Sequence, residues 1–239
     1  MERKIGCLVI HGFGGSAKEV APLVEALEEK GVFTQCPSLS GHTGRKEDLK
    51  TVTYNDWIAS AEKSLKLLKK DCDEVFIAGF SMGGLIGIQL AQHYDICGLI
   101  IINTPIYYCD FRKIFSNVIH DVFHHDYQNI RRYLRPSNRL PLIALWNFKQ
   151  LLNRTKKLVH YLKTPVMIAQ AIDDDMVQHR SAGFIYTKAV SPVKKLATYV
   201  RGGHVLLLSE TCQALIKDSL DFLDDRINSK KTLTPAVAV

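Results

Sequence analysis

Short apolar runs rich in β-branched residues recur along the chain, and the segments between them have apolar residues at helical spacing. Strands that alternate with helices in this way are typical of a parallel sheet joined by helical crossovers. The sequence therefore predicts an α/β fold with a mostly parallel central sheet flanked by helices. The strand-type runs are Cys7 to Ile10, Gly31 to Cys36, Val75 to Phe80, Leu99 to Ile102, Val166 to Ala171 and Leu196 to Val200.

The strand rhythm stops between Asn103 and Pro165. The residues in this interval have a helical pattern that Pro136 and Pro141 interrupt, which indicates a helical insert over one end of the sheet. At the carboxyl end of the chain no usable pattern follows the last helical spacing, so we expect a frayed tail there. The predicted division is a core of residues 1–105 and 164–228, an insert of residues 106–163 and a tail of residues 229–239.

Two helix starts are marked early in the chain. Ser16 and Glu19 have the spacing of a capping box, and apolar residues at helical spacing follow them. Pro22 gives an alternative start for the same helix, because proline is tolerated in the first turn. A second amphipathic helix is predicted after Asn55 and Asp56.

A serine lies where the third strand-type run meets the next helical segment. Gly79-Phe80-Ser81-Met82-Gly83 has the pattern G-x-S-x-G, directly after Val75 to Phe80 and at the start of a helix-like stretch. A turn this tight brings the residues two before and two after the serine close together, which favours glycine at both places. The pattern predicts that Ser81 is a strained, exposed nucleophile.

A serine hydroxyl becomes a good nucleophile only with a base within hydrogen-bond reach and a carboxylate that orients the base. On a scaffold with this serine motif the three residues follow in the order serine, acid, histidine. His204 comes just after the run Leu196 to Val200, in a loop position suited to a base at a strand end. His179 lies too near the candidate acids and is predicted to be a surface residue.

The acid is expected at the end of the run Val166 to Ala171. Three adjacent carboxylates stand there, Asp173, Asp174 and Asp175. Spacing alone does not choose among them, and aspartates at such a position also form turns.

The first strand-type run leads into a glycine-rich turn, His11-Gly12-Phe13-Gly14-Gly15. Glycines let the backbone approach a ligand closely, so an N–H group of this turn, paired with the N–H of Met82, would hold a tetrahedral oxyanion. A phosphate-binding loop is the rival interpretation, but the pattern G-x-x-x-x-G-K-[ST] is absent.

With these motifs the chain resembles the α/β-hydrolase superfamily, and within it the small bacterial carboxylesterases that are close to bacterial monoacylglycerol lipases. The resemblance covers nearly the whole chain. Three features depart from the family pattern: a loop longer than the usual G-H-G, the added carboxylate of Asp173 beside the acid, and an unusually basic insert. The matching segments are His11-Gly-Phe, the Gly41-His42 loop, Asp56-Trp57, Gly79-Phe-Ser-Met-Gly-Gly84, Gln170-Ala171 and Gly203-His204-Val205.

The resemblance implies roles for particular residues. A branched apolar residue follows the family's acid three positions later, and Val177 stands in that register after Asp174. The oxyanion donors would be the backbone N–H groups of Phe13 and Met82. The resemblance also implies the α/β-hydrolase fold, with a small helical cap inserted after the sixth core strand that corresponds to the insert, and chemistry without a metal or organic cofactor.

The combined interpretation is a serine carboxylesterase that hydrolyses esters of short to medium acyl chains through an acyl-enzyme. A monoacylglycerol lipase is the alternative, and a non-catalytic ligand-binding protein on the same fold is the alternative from another class. His120 and His124 have the i, i+4 spacing of a metal hydrolase, but with Asp121 where that motif has glutamate. Apolar cap residues are the candidate walls of the acyl pocket, although they could equally pack the cap onto the core. They are Phe111, Phe115, Phe148 and, as the selected candidates, Phe123, Leu145 and Trp146.

The net charge of +7 is concentrated in the insert. Pro105 to Lys163 contains 11 Lys and Arg against 3 Asp, a balance of +8. No nucleic-acid motif accompanies this charge, so a solvated face of the helical insert is favoured over a surface for nucleic acid. The expected partners are a small ester substrate, including acylglycerols, and weak contact of the basic insert with anionic membrane surfaces. No signal sequence or membrane span is evident, and the six cysteines form no C-x-x-C pair, which favours the cytoplasm. The sequence does not indicate an oligomeric state.

Overall fold

Six parallel strands form one sheet in the order β2-β1-β3-β4-β5-β6. A computed structural model describes residues 3–108 and 140–233, with side chains described as far as Ser229. Each pair of neighbouring strands is parallel, which confirms the predicted architecture. The strands are β1 (Ile5–Ile10), β2 (Phe33–Gln35), β3 (Glu74–Phe80), β4 (Gly98–Ile102), β5 (Val166–Ala171) and β6 (Lys194–Tyr199).

Helices cover both faces of this sheet. Buried side chains of α1 and α6 pack on one face, and those of α2, α3 and α5 pack on the other. The helix α4, which belongs to the predicted insert, packs on α2 and α3. The helices are α1 (Ala21–Glu29), α2 (Tyr54–Asp71), α3 (Met82–Leu90), α4 (Leu142–Leu158), α5 (Arg180–Lys188) and α6 (Cys212–Leu233).

The insert follows β4, which is the fourth strand of the described sheet in chain order. The resemblance places the insert after the sixth core strand, whereas β4 is only the fourth strand of the described residues. In this chain the first strand, β1, already leads into the glycine-rich turn. Within residues 3–108 and 140–233, no helix is both long enough and apolar enough to cross a bilayer.

The first helix does not begin with the predicted capping box. Residues Ala17–Glu19 form a 3-10 turn, and α1 begins at Ala21 with Pro22 in its first turn. In the described structure Ser16 makes no side-chain capping bond, and the Glu19 carboxylate accepts the N–H of Gly12 at 3.3 Å instead. The proline alternative was therefore correct, since proline fits the first turn of a helix.

Two other helix ends also differ from the predictions. The helix α2 begins one turn earlier than expected, because Thr53 forms a reciprocal capping box with Asp56. The helix α6 continues to Leu233, so the start of the predicted tail, residues 229–233, is helical. Ser229 still fits the helix because its hydroxyl donates to the carbonyl of Asp225 at 2.6 Å, one turn earlier.

Candidate active site

Ser81 lies in a sharp turn between β3 and α3. Its φ of 53° is in the left-handed region, which is strained for a residue with a side chain. A Cβ atom on Gly79 would lie 2.4 Å from the Gly83 carbonyl, and one on Gly83 would lie 2.1 Å from the carbonyl oxygen of Ile10. Both glycines are therefore required by backbone contacts, as the G-x-S-x-G pattern predicts.

The structure brings Ser81, His204 and Asp174 together in one hydrogen-bonded row. The Ser81 Oγ lies 3.1 Å from His204 Nε2, and His204 Nδ1 lies 2.9 Å from Asp174 Oδ2. Chemistry assigns the tautomer: Nδ1–H donates to the carboxylate, and Nε2 accepts the serine hydroxyl. Asp174 is fully buried and the His204 side chain is 15% exposed, so the row is shielded from water at its acid end.

The three adjacent carboxylates have different surroundings. The second oxygen of Asp174, Oδ1, accepts the N–H groups of Met176 and Val177 at 2.8 and 2.9 Å. Asp173 is exposed and accepts two N–H groups of the loop before His204, and Asp175 is buried. Of the three, Asp174 is the carboxylate hydrogen-bonded to the His204 imidazole.

His179 lies at the surface, as predicted. It directly precedes α5, whereas His204 belongs to the loop after β6.

The glycine-rich turn lies against the start of α3. A Cβ atom on Gly83 would lie 2.1 and 2.9 Å from the carbonyl oxygens of Ile10 and His11, so β1 and its turn abut the residues that follow Ser81. Within the described residues, neither the Phe13 N–H nor the Met82 N–H has a hydrogen-bond partner. Two backbone donors on adjoining segments are thus without a partner among the described residues, which is a requirement for an oxyanion hole.

Two buried histidines, His11 and His42, pack beside the glycine-rich turn. His11 donates through Nδ1 to the carbonyl of Gly12 at 2.9 Å and accepts the N–H of Leu39 through Nε2 at 3.3 Å. Its ring centroid lies 5.0 Å from that of His42. Burial lowers the pKa of His11, and burial together with the neighbouring His11 lowers the pKa of His42 to about 4. Both rings are therefore neutral near pH 7.

The role of His11 was not inferred from the sequence beyond its place in the turn. A histidine directly before a glycine-rich turn is the signal that would have identified it. Glu19 was assigned to a helix cap, yet its carboxylate binds the turn at Gly12. Burial raises the pKa of Glu19.

Among the candidate pocket walls on α4, only Phe148 has a ring contact with Phe13 in the described structure. The Phe13 ring stacks on Phe148 of α4 at a centroid distance of 5.0 Å and contacts Trp57 at 5.4 Å. Leu145 and Trp146 are 38% and 57% exposed, because they lie on the face of α4 that points away from α2 and α3. Within the described residues these two candidates are therefore not enclosed, whereas Phe148 and Leu140 of the insert lie against the turn, with a Leu140 methyl carbon 3.0 Å from where a Cβ atom of Gly14 would be. Phe123 lies outside the described residues.

Among the described residues no group of His, Cys, Asp and Glu side chains is arranged to hold a metal ion. The pair His120 and His124 lies outside them.

Comparison with known proteins gives the family. A family described as the alpha/beta hydrolase family matches residues 7–217. The chain belongs to the alpha/beta hydrolase family. It is 29% identical over 227 residues to a thermostable monoacylglycerol lipase of Bacillus sp. (strain H-257), which covers 91% of this chain and 90% of the relative. It is 24% identical over 224 residues to a carboxylesterase of Bacillus subtilis (strain 168), with 91% of each chain covered.

Solved structures agree with this α/β-hydrolase fold. A structure of the metagenome-derived lipolytic enzymes LipS and LipT matches with a TM-score of 0.78 at 22% identity, covering 93% of this chain and 94% of the other. A soluble variant of the monoglyceride lipase of Saccharomyces cerevisiae matches with a TM-score of 0.70 at 19% identity, covering 94% and 87%. The resemblance inferred from the motifs is thus confirmed.

Proposed function

We propose that this α/β-hydrolase is a serine carboxylesterase that acts on esters of short to medium acyl chains. The coarser class, a carboxylic ester hydrolase, follows from the family together with a carboxylesterase and a monoacylglycerol lipase among its relatives. The observation that carries the proposal is the row from Ser81 through His204 to Asp174, with distances of 3.1 and 2.9 Å.

The first half of the reaction forms an acyl-enzyme. The Ser81 Oγ attacks the ester carbonyl carbon while His204 Nε2 takes the hydroxyl proton. The N–H groups of Phe13 and Met82 stabilise the negative charge that develops on the carbonyl oxygen. Asp174 holds the imidazole in the tautomer that accepts this proton and stabilises the imidazolium. The intermediate collapses as His204 gives the proton to the leaving alcohol oxygen.

The second half releases the acid. A water molecule gives a proton to His204 Nε2 and attacks the acyl carbon, and the tetrahedral intermediate forms again in the same oxyanion hole. When it collapses, His204 returns the proton to Ser81 Oγ and the carboxylic acid leaves. No step requires a metal or an organic cofactor.

Removal of the serine hydroxyl tests this proposal. We expect Ser81→Ala to abolish hydrolysis of p-nitrophenyl butyrate while the melting temperature stays close to that of the wild type. Ser219→Ala is the matched control: this buried hydroxyl donates to the Leu215 carbonyl in α6, on the face of the sheet opposite α3. Full activity in Ser81→Ala would refute the proposal.

A non-catalytic ligand-binding protein is the rival. A serine-directed sulfonyl fluoride separates the two, because only a serine activated by a base reacts rapidly. We expect labelling of the wild type at Ser81 and none in Ser81→Ala. Failure to label the wild type would favour the rival.

The alternative proposal is a monoacylglycerol lipase, because one relative is a monoacylglycerol lipase. A panel of p-nitrophenyl esters from acetyl to palmitoyl, together with monoacylglycerols, would decide between the two. The carboxylesterase proposal expects the highest kcat/KM for acyl chains of short to medium length, whereas a lipase would prefer the long-chain monoacylglycerols.

Weak contact of the cap with anionic membranes belongs to the same proposal. On the outer face of α4, Leu142 and Trp146 are 84% and 57% exposed, and the Lys149 ammonium lies 6.0 Å from the centre of the Trp146 ring. Apolar side chains beside cations favour an interface with anionic lipid. We expect binding to vesicles with anionic lipid to weaken in Trp146→Ser. Binding that ignores the anionic lipid content would refute this contact.

We also propose a cytoplasmic location and no nucleic-acid partner. The support for the first is that Cys7, Cys36, Cys72 and Cys212 form no disulfide in the described structure. Burial raises the pKa of Cys7 to about 12, so this thiol resists oxidation.

A further inference from the structure

The loop that carries His204 is not fixed by its own conformation. Gly202 and Gly203 precede the histidine with φ angles of 135° and 59°, in a region that favours glycine. Glycine has the largest conformational freedom of any residue, so a glycine pair does not itself hold the next side chain in place. The position of His204 therefore depends on contacts with other parts of the chain.

Asn103 supplies such contacts from the end of β4. Its Nδ2 group donates to the carbonyls of Gly203 and His204 at 3.0 and 2.7 Å. Its Oδ1 accepts the N–H of Ala171, the last residue of β5, at 2.8 Å. The side chain is fully buried, and both hydrogens of its amide group are used.

Asn103 also lies next to the serine turn. The carbonyl of Ile102, the preceding residue, accepts the N–H of Ser81 at 2.8 Å. The backbone N–H of Asn103 donates to the carbonyl of Ala169 in β5 at 2.8 Å. Its φ of 44° lies in the left-handed region, which asparagine tolerates better than most residues. One residue and its immediate neighbour thus contact the segments that carry the serine, the acid and the base.

We propose that Asn103 is a positioning residue that fixes the backbone of His204 relative to Ser81 and Asp174. This inference rests on the proposed function, since it concerns the base of that reaction. Asn103 acts through His204 and does not contact the reacting atoms. The exposed carboxylate of Asp173 holds the same loop from the other side, through the N–H groups of Gly202 and Gly203 at 3.2 and 2.9 Å.

Loss of the Asn103 donor leaves two carbonyls without their buried partner. In Asn103→Asp the acceptor for Ala171 remains, but an oxygen replaces Nδ2 and faces the carbonyl oxygens of Gly203 and His204. Protonation of that carboxyl restores at most one of the two bonds, because it supplies a single hydrogen. The loop must move, and the imidazole moves with it.

The test compares Asn103→Asp with Gln89→Glu, which makes the same exchange of a buried amide for a carboxyl group. Gln89 is 2% exposed, and its Nε2 donates to the Thr155 hydroxyl at 2.8 Å, which links α3 to α4. Each variant loses amide donors and buries a carboxyl group, so both are expected to lower the melting temperature. Only the first loses contacts to the base.

For Asn103→Asp we expect kcat with p-nitrophenyl butyrate to fall by roughly 10- to 100-fold, since small misplacements of catalytic groups cost about this much. KM should stay near the wild-type value because Asn103 does not contact substrate. Gln89→Glu should keep the wild-type kcat per folded molecule. In proton NMR, the downfield signal of the His204 Nδ1–H should shift or broaden in the first variant only.

Equal losses of kcat in the two variants, or wild-type kcat in Asn103→Asp, would overturn the inference. Should Asn103→Asp not fold, Asn103→Gly is the second variant, because glycine accepts the left-handed φ and lacks the whole side chain. It should show the same fall in kcat, and wild-type kcat would overturn the inference. Ser81→Ala runs in the same assay: activity there refutes the proposed function itself, whereas an inactive Ser81→Ala with a fully active Asn103→Asp refutes only the role of Asn103.

Discussion

The serine and the histidine of the site are held in opposite ways. The turn around Ser81 requires glycine at positions 79 and 83, within two residues of the serine, although it also packs on the Ile10 carbonyl of β1 and its Ser81 N–H donates to Ile102. His204 follows two glycines and is held by Asn103 and Asp173, which are far away in the sequence. The residues that the nucleophile requires are therefore its close neighbours in sequence, whereas those that the base requires are distant in sequence. A requirement on neighbouring residues can be recognised as a sequence motif, whereas a contact between residues far apart in the sequence cannot.

The largest effect is expected at the acid that aligns the base. Asp174→Asn should lower kcat on the order of 10⁴-fold, because the amide no longer fixes the productive tautomer of His204. Asp173→Asn keeps one acceptor oxygen and so only one of the two hydrogen bonds to the loop N–H groups. Because Asp173 is exposed and does not bond the imidazole, we expect a loss below about tenfold. Steady-state kinetics with p-nitrophenyl butyrate measures both. Similar losses would contradict the distinction between aligning the imidazole and holding its loop.

A substitution in the serine turn should lower the free energy of unfolding rather than act only on the kinetic constants. In Gly83→Ala the added methyl would lie 2.1 Å from the carbonyl oxygen of Ile10, and backbone atoms there have no room to yield. We expect a loss of at least about 3 kcal/mol in the free energy of unfolding, by overpacking. The measurement is chemical denaturation.

Gly183→Ala is the matched control, in α5. A Cβ atom there meets nothing within 4 Å, so alanine should stabilise the helix by about 0.5–1 kcal/mol. A stable, folded Gly83→Ala variant would show that the turn does not require glycine at position 83.

The same contrast explains what the sequence could predict. The strand runs, the order of serine, acid and histidine, and both glycines of the serine turn follow from periodicity and local motifs, and the parallel sheet is as predicted. The choice of Asp174 among three carboxylates did not follow from spacing, because it depends on where β6 places the next loop. Asn103 is recognised in the sequence only as the point where the strand rhythm stops, since two of its partners are about a hundred residues away in sequence.

The cap shows the same limit. Leu145 and Trp146 were candidates for the pocket because they are apolar, yet the packing of α4 turns Phe148 inward and leaves them exposed. One helical turn contains residues of both faces. Composition alone does not indicate which face meets the core.

A smaller effect is expected from acid, which should disturb the oxyanion turn more than the serine turn. The unfolded His42 takes up a proton near its ordinary pKa of 6.5, whereas the folded pKa is about 4. Stability is therefore fully present above pH 6.5 and decreases as the pH falls from 6.5 towards 4. For this 6% exposed side chain the loss is roughly 2–3 kcal/mol.

The measurement is the free energy of unfolding as a function of pH. His42→Asn should reduce the slope in this interval, because the asparagine amide can still donate to the Ser40 carbonyl, as Nδ1 does at 3.1 Å, without titrating. Some slope remains because burial also lowers the pKa of His11. Identical slopes in the wild type and the variant would contradict the assignment to His42.

Every residue of α3, the helix that begins after Ser81, is buried, and β3 before it is buried along its whole length. A segment without a water-facing side tolerates almost no exchange of side chains. Attempts to broaden or redirect substrate choice by mutagenesis should therefore leave residues 74–90 untouched and draw their diversity from the outer layer, where α4 and the loop of Gly41 approach Phe13. Backbone amides in this segment should also be among the last to exchange with deuterium. Hydrogen exchange would then show that the serine belongs to the most strongly protected part of the protein.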